Sequence, residues 1–330
     1  MNLRFAPLLL AALPLFAHAA PPTLVPLEPI SIGGEARWDY PAIDSAGHRL
    51  YLSHATQVEV VDTRTGKRVG TVPGTAGVHG IAIAADLGLG FASDGRADAV
   101  TVFDLATLET RATIPVGKGP DAILYDAASH RVMTFNAKSK DVTLVDAAKG
   151  VVVATVPAGG KPEFADAGAN GLVWFNVEDT NEMAVLDPVA ARIVKRIALA
   201  PCEGPSGLAW DGHANHYAVC ENRQMAIVDA DGRVVGRPPI GAGPDGVAWL
   251  DGAAWSANGR DGTISVVRET RPGHFETVDT IPSATGARTI VADAATHRLY
   301  LPTAQFEPVV EGERRKGVAG TFRVLVMDKR

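Results

Sequence analysis

Residues 120–157 read PDAILYDAASHRVMTFNAKSKDVTLVDAAKGVVVATVP. Within them, Ala122 to Tyr125, Arg131 to Phe135, Val142 to Val145 and Val151 to Val156 are four short runs rich in apolar and β-branched residues. Turn chemistry separates the runs. Asp126 to His130 makes the first turn, Asn136 to Asp141 the second and Asp146 to Gly150 the third, because Asp bonds its own downstream backbone and Gly adopts φ > 0. Four strands joined this way form one antiparallel sheet whose faces are buried only if further sheets pack against it.

Those further sheets are written into the chain. An apolar-apolar-Asp tripeptide recurs at Val60-Val61-Asp62, Val102-Phe103-Asp104, Leu144-Val145-Asp146, Val185-Leu186-Asp187, Ile227-Val228-Asp229 and Val326-Met327-Asp328. The first four spacings are 42, 42, 41 and 42, and a degenerate copy, Val266-Val267-Arg268, follows Asp229 by 39. The last interval also holds an inserted segment, residues 304–320. Seven repeats of this period predict an all-β, seven-bladed β-propeller of four-stranded blades. The repeated Asp is a turn former, since one carboxylate copied around a ring is not a single site.

The last repeat ends at Asp328-Lys329-Arg330 after three strands. The segment Leu24-Val25-Pro26-Leu27-Glu28-Pro29-Ile30-Ser31-Ile32 looks like an outermost strand, so residues 24–33 are expected to complete blade seven and remove its open edge. Pro26 and Pro29 suit an edge position. Upstream, the apolar run 5–16 followed by Ala17-His18-Ala19 reads as a signal peptide, residues 1–19, leaving one domain over 20–330 and a periplasmic or secreted protein. No later run is long enough to span a bilayer, and a monomer is expected.

Composition narrows the partners. The chain has 31 basic against 37 acidic residues, 6% aromatics and only the short Arg314-Arg315-Lys316 basic run, so nucleic acid is a poor partner. With 34 glycines and 22 prolines, the chain is punctuated too often for long helices.

Segments Val60 to Val72 and Leu144 to Val156 resemble the repeat of the YVTN β-propeller family, and the exported single-domain layout is similar to its YncE-like branch. The family's Tyr-Val-Thr-Asn core takes degraded forms here, such as Arg49 to His54 and Arg298 to Thr303. The resemblance implies a seven-bladed ring. It spans roles from surface-layer modules and binding proteins to lactonases and subunits of quinone-dependent dehydrogenases. Some YncE-like members bind single-stranded DNA, but the acidic balance here argues against stacking in a basic groove.

In a propeller the first strand of each blade lines the central channel. The residues opening those strands are Asp39, His79, Asp121, Glu163, Ser206, Asp245 and Arg288, spaced by 40, 42, 42, 43, 39 and 43. Carboxylates brought together need a cation, protons or a partner Arg. Asp39, His79, Asp121, Glu163 and Asp245 are therefore candidate ligands for a divalent metal. The ends of the second strands return to the same face and add a wider ring: Ser53, His54, Ser93, Asp94, Asn136, Asn176, Glu221, Asn222, Asn258 and Thr303. Its amides suit a polar ligand or a hard cation. His48, His130 and His297 occupy a repeated turn on the opposite face, with His213 and His216 in the equivalent turn of blade five. His274 lies between outer strands, which leaves His54 and His79 on the candidate face. The inserted segment 304–320 falls on that face too. Cys202 and Cys220 flank the first two strands of blade five and are expected to form a disulfide in an oxidising compartment.

HExxH, GxSxG and phosphate-loop patterns are absent from the sequence, and the glycines of Gly117-Lys118-Gly119-Pro120 and Gly241-Ala242-Gly243-Pro244 recur at the blade period as connectors, so they are not read as a dinucleotide fingerprint. The leading expectation is a non-catalytic binding protein that takes a small polar ligand, a metal complex or an envelope protein partner at the channel mouth. One alternative is a metal-dependent lactonase or esterase using Glu163, Asn176, Asn222 and Asp245, a set that resembles that of propeller lactonases. A second alternative is a scaffold in a cell-envelope complex.

Overall fold

A computed structural model describes residues 24–308 and 315–329, and the expected signal peptide lies outside these. Seven antiparallel sheets follow one another around an axis, each running from an innermost to an outermost strand. The specimen repeat forms Pro120–Asp126, Arg131–Asn136, Asp141–Asp146 and Val151–Pro157. These are the four strands expected, each one to three residues longer. The Asp ending the third strand makes its turn in blade after blade: Asp62 accepts from the Arg64 and Thr65 amides, Asp104 from Ala106 and Thr107, and Asp187 from Val189 and Ala190, while blade six has Arg268 there.

The core is not central. Its buried side chains fall into seven groups, and each lies between two consecutive sheets. Tyr51 of blade one meets Phe103 of blade two, Phe135 of blade three meets Phe175 of blade four, and Tyr217 of blade five stacks on Trp249 of blade six. Alternating side chains on a two-sided strand leave each sheet apolar on both faces, so every blade requires both neighbours. Cys202 and Cys220 form a disulfide with Cα atoms 5.5 Å apart, buried in the wedge between blades four and five.

Blade seven closes the ring with the N-terminal segment. Leu24–Pro26 and Ile30–Ser31 both pair antiparallel with Arg323–Lys329, in registers Leu24↔Lys329 and Ile30↔Val324. The interruption falls at Leu27 to Pro29, where a proline has no amide to donate. Leu24 is buried in the wedge against blade six, and Ile30 packs in the wedge against blade one.

A chain beginning at Gly33 loses both contacts and exposes the Arg323–Lys329 edge. With about 1.5–3 kcal/mol for each buried aliphatic side chain, its melting temperature is expected to fall by about 10 °C. Self-association through the exposed edge should accompany the loss, measurable by calorimetry and light scattering.

Candidate functional site

The innermost strands of blades one to six share one irregularity. Each shifts register after its opening residue, between Trp38 and Pro41, Val78 and Ile81, Pro120 and Ile123, Pro162 and Ala165, Pro205 and Leu208, and Pro244 and Gly246. A bulge re-aims the side chains inside it. Asp39, His79, Asp121, Glu163, Ser206 and Asp245 are the residues so displaced, and they turn toward the axis as one layer.

Five of the seven expected channel residues, Asp39, His79, Asp121, Asp245 and Arg288, form a connected charge network, and Glu163 sits beside it in a separate cluster. His79 Nδ1 lies 2.6 Å from Asp39 Oδ2 and 3.5 Å from Asp121 Oδ1. Arg288 reaches Asp245 Oδ2 through Nε at 2.7 Å and Asp39 Oδ1 through Nη2 at 3.2 Å, with the Trp38 carbonyl at 3.1 Å. Glu163 is held by Lys161 at 2.5 Å, and the same ammonium also pairs with Glu178. Ser206 stays outside this network; its hydroxyl faces the Pro244 carbonyl at 3.5 Å.

Lys161 and Glu178 were not among the expected residues. A signal for Lys161 existed: it sits two positions before Glu163, and residues i and i+2 of an extended chain share a face. Glu178 directly follows Val177, the residue that pairs with Pro162 at the strand opening.

The layer carries more acid than base. The five carboxylates of Asp39, Asp121, Glu163, Glu178 and Asp245 meet three basic groups, those of His79, Lys161 and Arg288. Burial pushes Asp121 up to about 6, with Asp39 adding to the rise. Burial also raises Glu163, reinforced by Asp121, and raises Asp245 although Arg288 opposes it. For His79, burial acts to lower the imidazole, but the Asp39 bond and the Asp121 charge outweigh it and hold it above its ordinary value. Asp39, His79 and Asp121 each offer one donor atom, all within 4.8 Å of one another, and one imidazole with two carboxylates suits a divalent ion such as Zn²⁺ or Mn²⁺.

Tyr40 closes the channel beneath this layer. Its ring meets Phe164 of blade four with centroids 4.8 Å apart, and its hydroxyl is raised by burial and by Asp245 and Glu163. Small residues complete the same level. Gly207 is obligatory there, because a Cβ would lie 2.7 Å from the Asp245 carbonyl oxygen. On the solvent side, residues 304–308 and 315–320 of the inserted segment border the mouth. Phe306 packs edge-on to Trp38 at 6.1 Å, and Arg315 borders a cavity of about 430 Å³ with Arg37, His79 and Arg288.

The wider ring does not converge on the mouth. Asn136, Asn176 and Asn258 are 0% exposed. Asn176 donates to the Ser206 and Gly207 carbonyls, tying blade four to blade five. Asn136 donates to Asp141 and Thr143, and Asn258 to Thr263 and Ser265, all within their own blades. Ser93 donates to the Asp121 carbonyl, and Ser53 accepts the Asp39 amide. His54 is buried against Phe322, between Glu59 and the Glu35 carbonyl. Asn222 bonds the Pro201 carbonyl. Asn176 donates through Nδ2 and leaves its Oδ1 without a partner among the described residues, whereas Asn222 Oδ1 accepts the Glu203 amide and Glu163 is paired with Lys161, so Glu163, Asn176, Asn222 and Asp245 do not all present a free oxygen. His216 also departs from expectation. It lies in the strand Asn215–Cys220, buried and stacked on Trp174 at 4.1 Å, because an aromatic wedge takes the imidazole out of the turn.

No known family model matches the chain, and no curated protein matches it in sequence. Among solved structures it is similar to the RRP9 WD40 repeats, with TM-score 0.80, 9% identity, and 92% of this chain and 97% of that one covered. It is similar to a streptogramin B lyase, with TM-score 0.73, 11% identity, and 92% and 97% covered. A third likeness is to the hydrazine synthase of Kuenenia stuttgartiensis, with TM-score 0.66, 16% identity, and 84% and 94% covered. At these identities the likeness is one of fold alone.

Asp94 gives a pH test of this layer's construction. It occupies the strand position held by Asn136 and Asn258, is buried, accepts from Thr101 at 2.6 Å and has no partner for Oδ1 among the described residues. Burial pushes it up to about 7. Its folded-state value exceeds the unfolded one, so the cost of ionising it begins as pH rises past the unfolded value and is complete above about 7. Asp94→Asn is therefore expected to change stability little at pH 4.5 and to stabilise by about 2–4 kcal/mol at pH 8. Denaturant melts at the two pH values check it.

Proposed function

We propose that the chain is an exported binding propeller whose channel mouth takes a divalent cation, or a small polar ligand presented with one. The observation that carries this reading is the surplus of carboxylates at the mouth. Asp39, His79 and Asp121 lie close enough to share one ion, and the five carboxylates of the layer outnumber its three basic groups. A bound cation would relieve that repulsion, with Arg288 and Lys161 left to fix the outlying carboxylates. The cavity above, bordered by Arg37 and Arg315, would admit the anionic or polar part of a complex.

Export is supported by the apolar run and small-residue cut site at the N-terminus and by the disulfide, which persists in oxidising compartments. Among the described residues, no helix is long and apolar enough to cross a membrane. The YVTN-type repeat and YncE-like layout support the same assignment.

The mature protein, purified without a metal-binding tag, is expected to retain a near-stoichiometric divalent metal by elemental mass spectrometry or to bind added Mn²⁺ or Zn²⁺ one to one. Asp39→Asn and His79→Ala should each weaken that binding at least ten-fold while the apo proteins still melt cooperatively. Absence of affinity for Ca²⁺, Mn²⁺ and Zn²⁺ overturns the reading. Ester or lactone turnover that depends on metal and is lost in His79→Ala would make the mouth a hydrolytic centre instead.

A further inference from the structure

The far end of the axis is chemically unlike the mouth. Below the Tyr40–Phe164 contact, the second halves of the innermost strands enclose an open cavity of about 560 Å³. That volume falls within the ordinary range of small-molecule sites. Its wall is aliphatic and aromatic, with Ile43, Ile83, Tyr125, Trp210 and Trp249 around it and Phe164 shared with the floor. Two features make it a built site.

The first is rigidity. Trp210 is backed by His216, centroids 6.2 Å apart, and His216 is stacked on Trp174, while Trp249 is backed by Tyr217 at 5.1 Å. Rings fixed by such stacks lose little freedom when a ligand meets them.

The second is charge. Among the described residues, the lining contains two carboxylates, Asp166 and Asp211, and no basic side chain. Asp211 is consumed by its turn: Oδ1 accepts the His213, Ala214 and Asn215 amides, and Oδ2 accepts the Asn215 side chain. Asp166 accepts one bond on each oxygen, from Ala167 N and Trp210 N, and keeps acceptor capacity on both. Burial raises it to about 6, so it is an anion at neutral pH in a poorly solvated place. The neighbouring His216 is lowered to about 4 by burial, stays neutral and supplies no counter-charge. A carboxylate without a cation, among aromatic faces that themselves attract cations, is complementary to one kind of group.

We propose that this end of the channel is a second binding site, for a small apolar molecule bearing one protonated amine, with its apolar body against the aromatic and aliphatic wall and its ammonium at Asp166. The site is separate from the polar mouth, and its ligand differs in needing the apolar body.

Calorimetric titration of the mature protein with 4-phenylbutylamine, 4-phenylbutan-1-ol, 4-phenylbutyrate and methylamine tests it. The expected result is one-to-one binding of 4-phenylbutylamine, with each of the other three at least ten-fold weaker, and at least a ten-fold loss of 4-phenylbutylamine affinity in Asp166→Asn. Equal affinity for the amine and the acid overturns the role of the carboxylate. Methylamine binding as tightly as 4-phenylbutylamine, or undiminished binding in a folded Asp166→Asn protein, puts the amine elsewhere and overturns the site. No heat with any of the four does the same. If Asp166→Asn does not fold, the four-compound series on the unaltered protein decides alone.

Discussion

Everything in this ring depends on burial between sheets. No blade has an interior of its own, so the stabilising area exists only where Tyr51 meets Phe103, Phe135 meets Phe175, and so on around the circle. Wedge-shaped cores fix the angle between neighbours and bring seven innermost strands to a common axis. The strands approach so closely there that Gly207 has no room for a side chain, and Asn176 and Thr289 reach across to the next blade's carbonyls. Bulges in those strands then set one polar side chain per blade toward the centre. The charged layer is thus a by-product of the packing that holds the ring, and it inherits that rigidity.

Tyr40 and Phe164 divide the axis into two environments that would not coexist in an open pore. On one side, carboxylates share protons and a few basic groups; on the other, aliphatic and indole surfaces surround a single under-compensated carboxylate. Water entering from either end meets the same two-ring partition. The separation lets each end keep its own electrostatics: Asp166 does not feel the mouth's basic groups, and the mouth's carboxylates remain coupled to one another.

Much of this was legible from period alone. The repeating Asp tripeptide located every third strand, and counting back from it put Asp39, His79, Asp121, Glu163, Asp245 and Arg288 on the axis, because strand lengths and turns repeat with the blade. The closing role of residues 24–33 was legible for the same reason, a missing fourth strand. The wider ring was not. Asn136, Asn258 and Asp94 end their second strands as expected, yet their side chains lie within the sheets, where threonine and serine hydroxyls of the third strands meet them. Strand position gives the face of the ring but not whether a side chain points along it or into it. His216 misled because a turn motif was extended to a blade whose turn differs: Asp211 there accepts three consecutive amides, and the histidine falls one strand position later. The lining of the far cavity recurs at the blade period as well, with Ile43, Ile83, Tyr125, Trp210 and Trp249 each four residues after the axial residue of its blade, but the spacing does not say that the position is left open. Trp210, Trp249 and Asp166 become neighbours only through curvature around the axis.

The split N-terminal strand carries a consequence for how the molecule comes into being. Leu24 pairs with Lys329, so an early segment finds its place only when a strand near the other end of the ring has arrived. Six blades can stack in order of synthesis, but the seventh has no outer strand to find among its own residues, and contacts this distant in sequence form slowly. Until that pairing, both flanks of the arc present unpaired apolar wedges. Closure of the ring therefore waits on a contact distant in sequence, and the unpaired wedges are most open to misassociation before it forms.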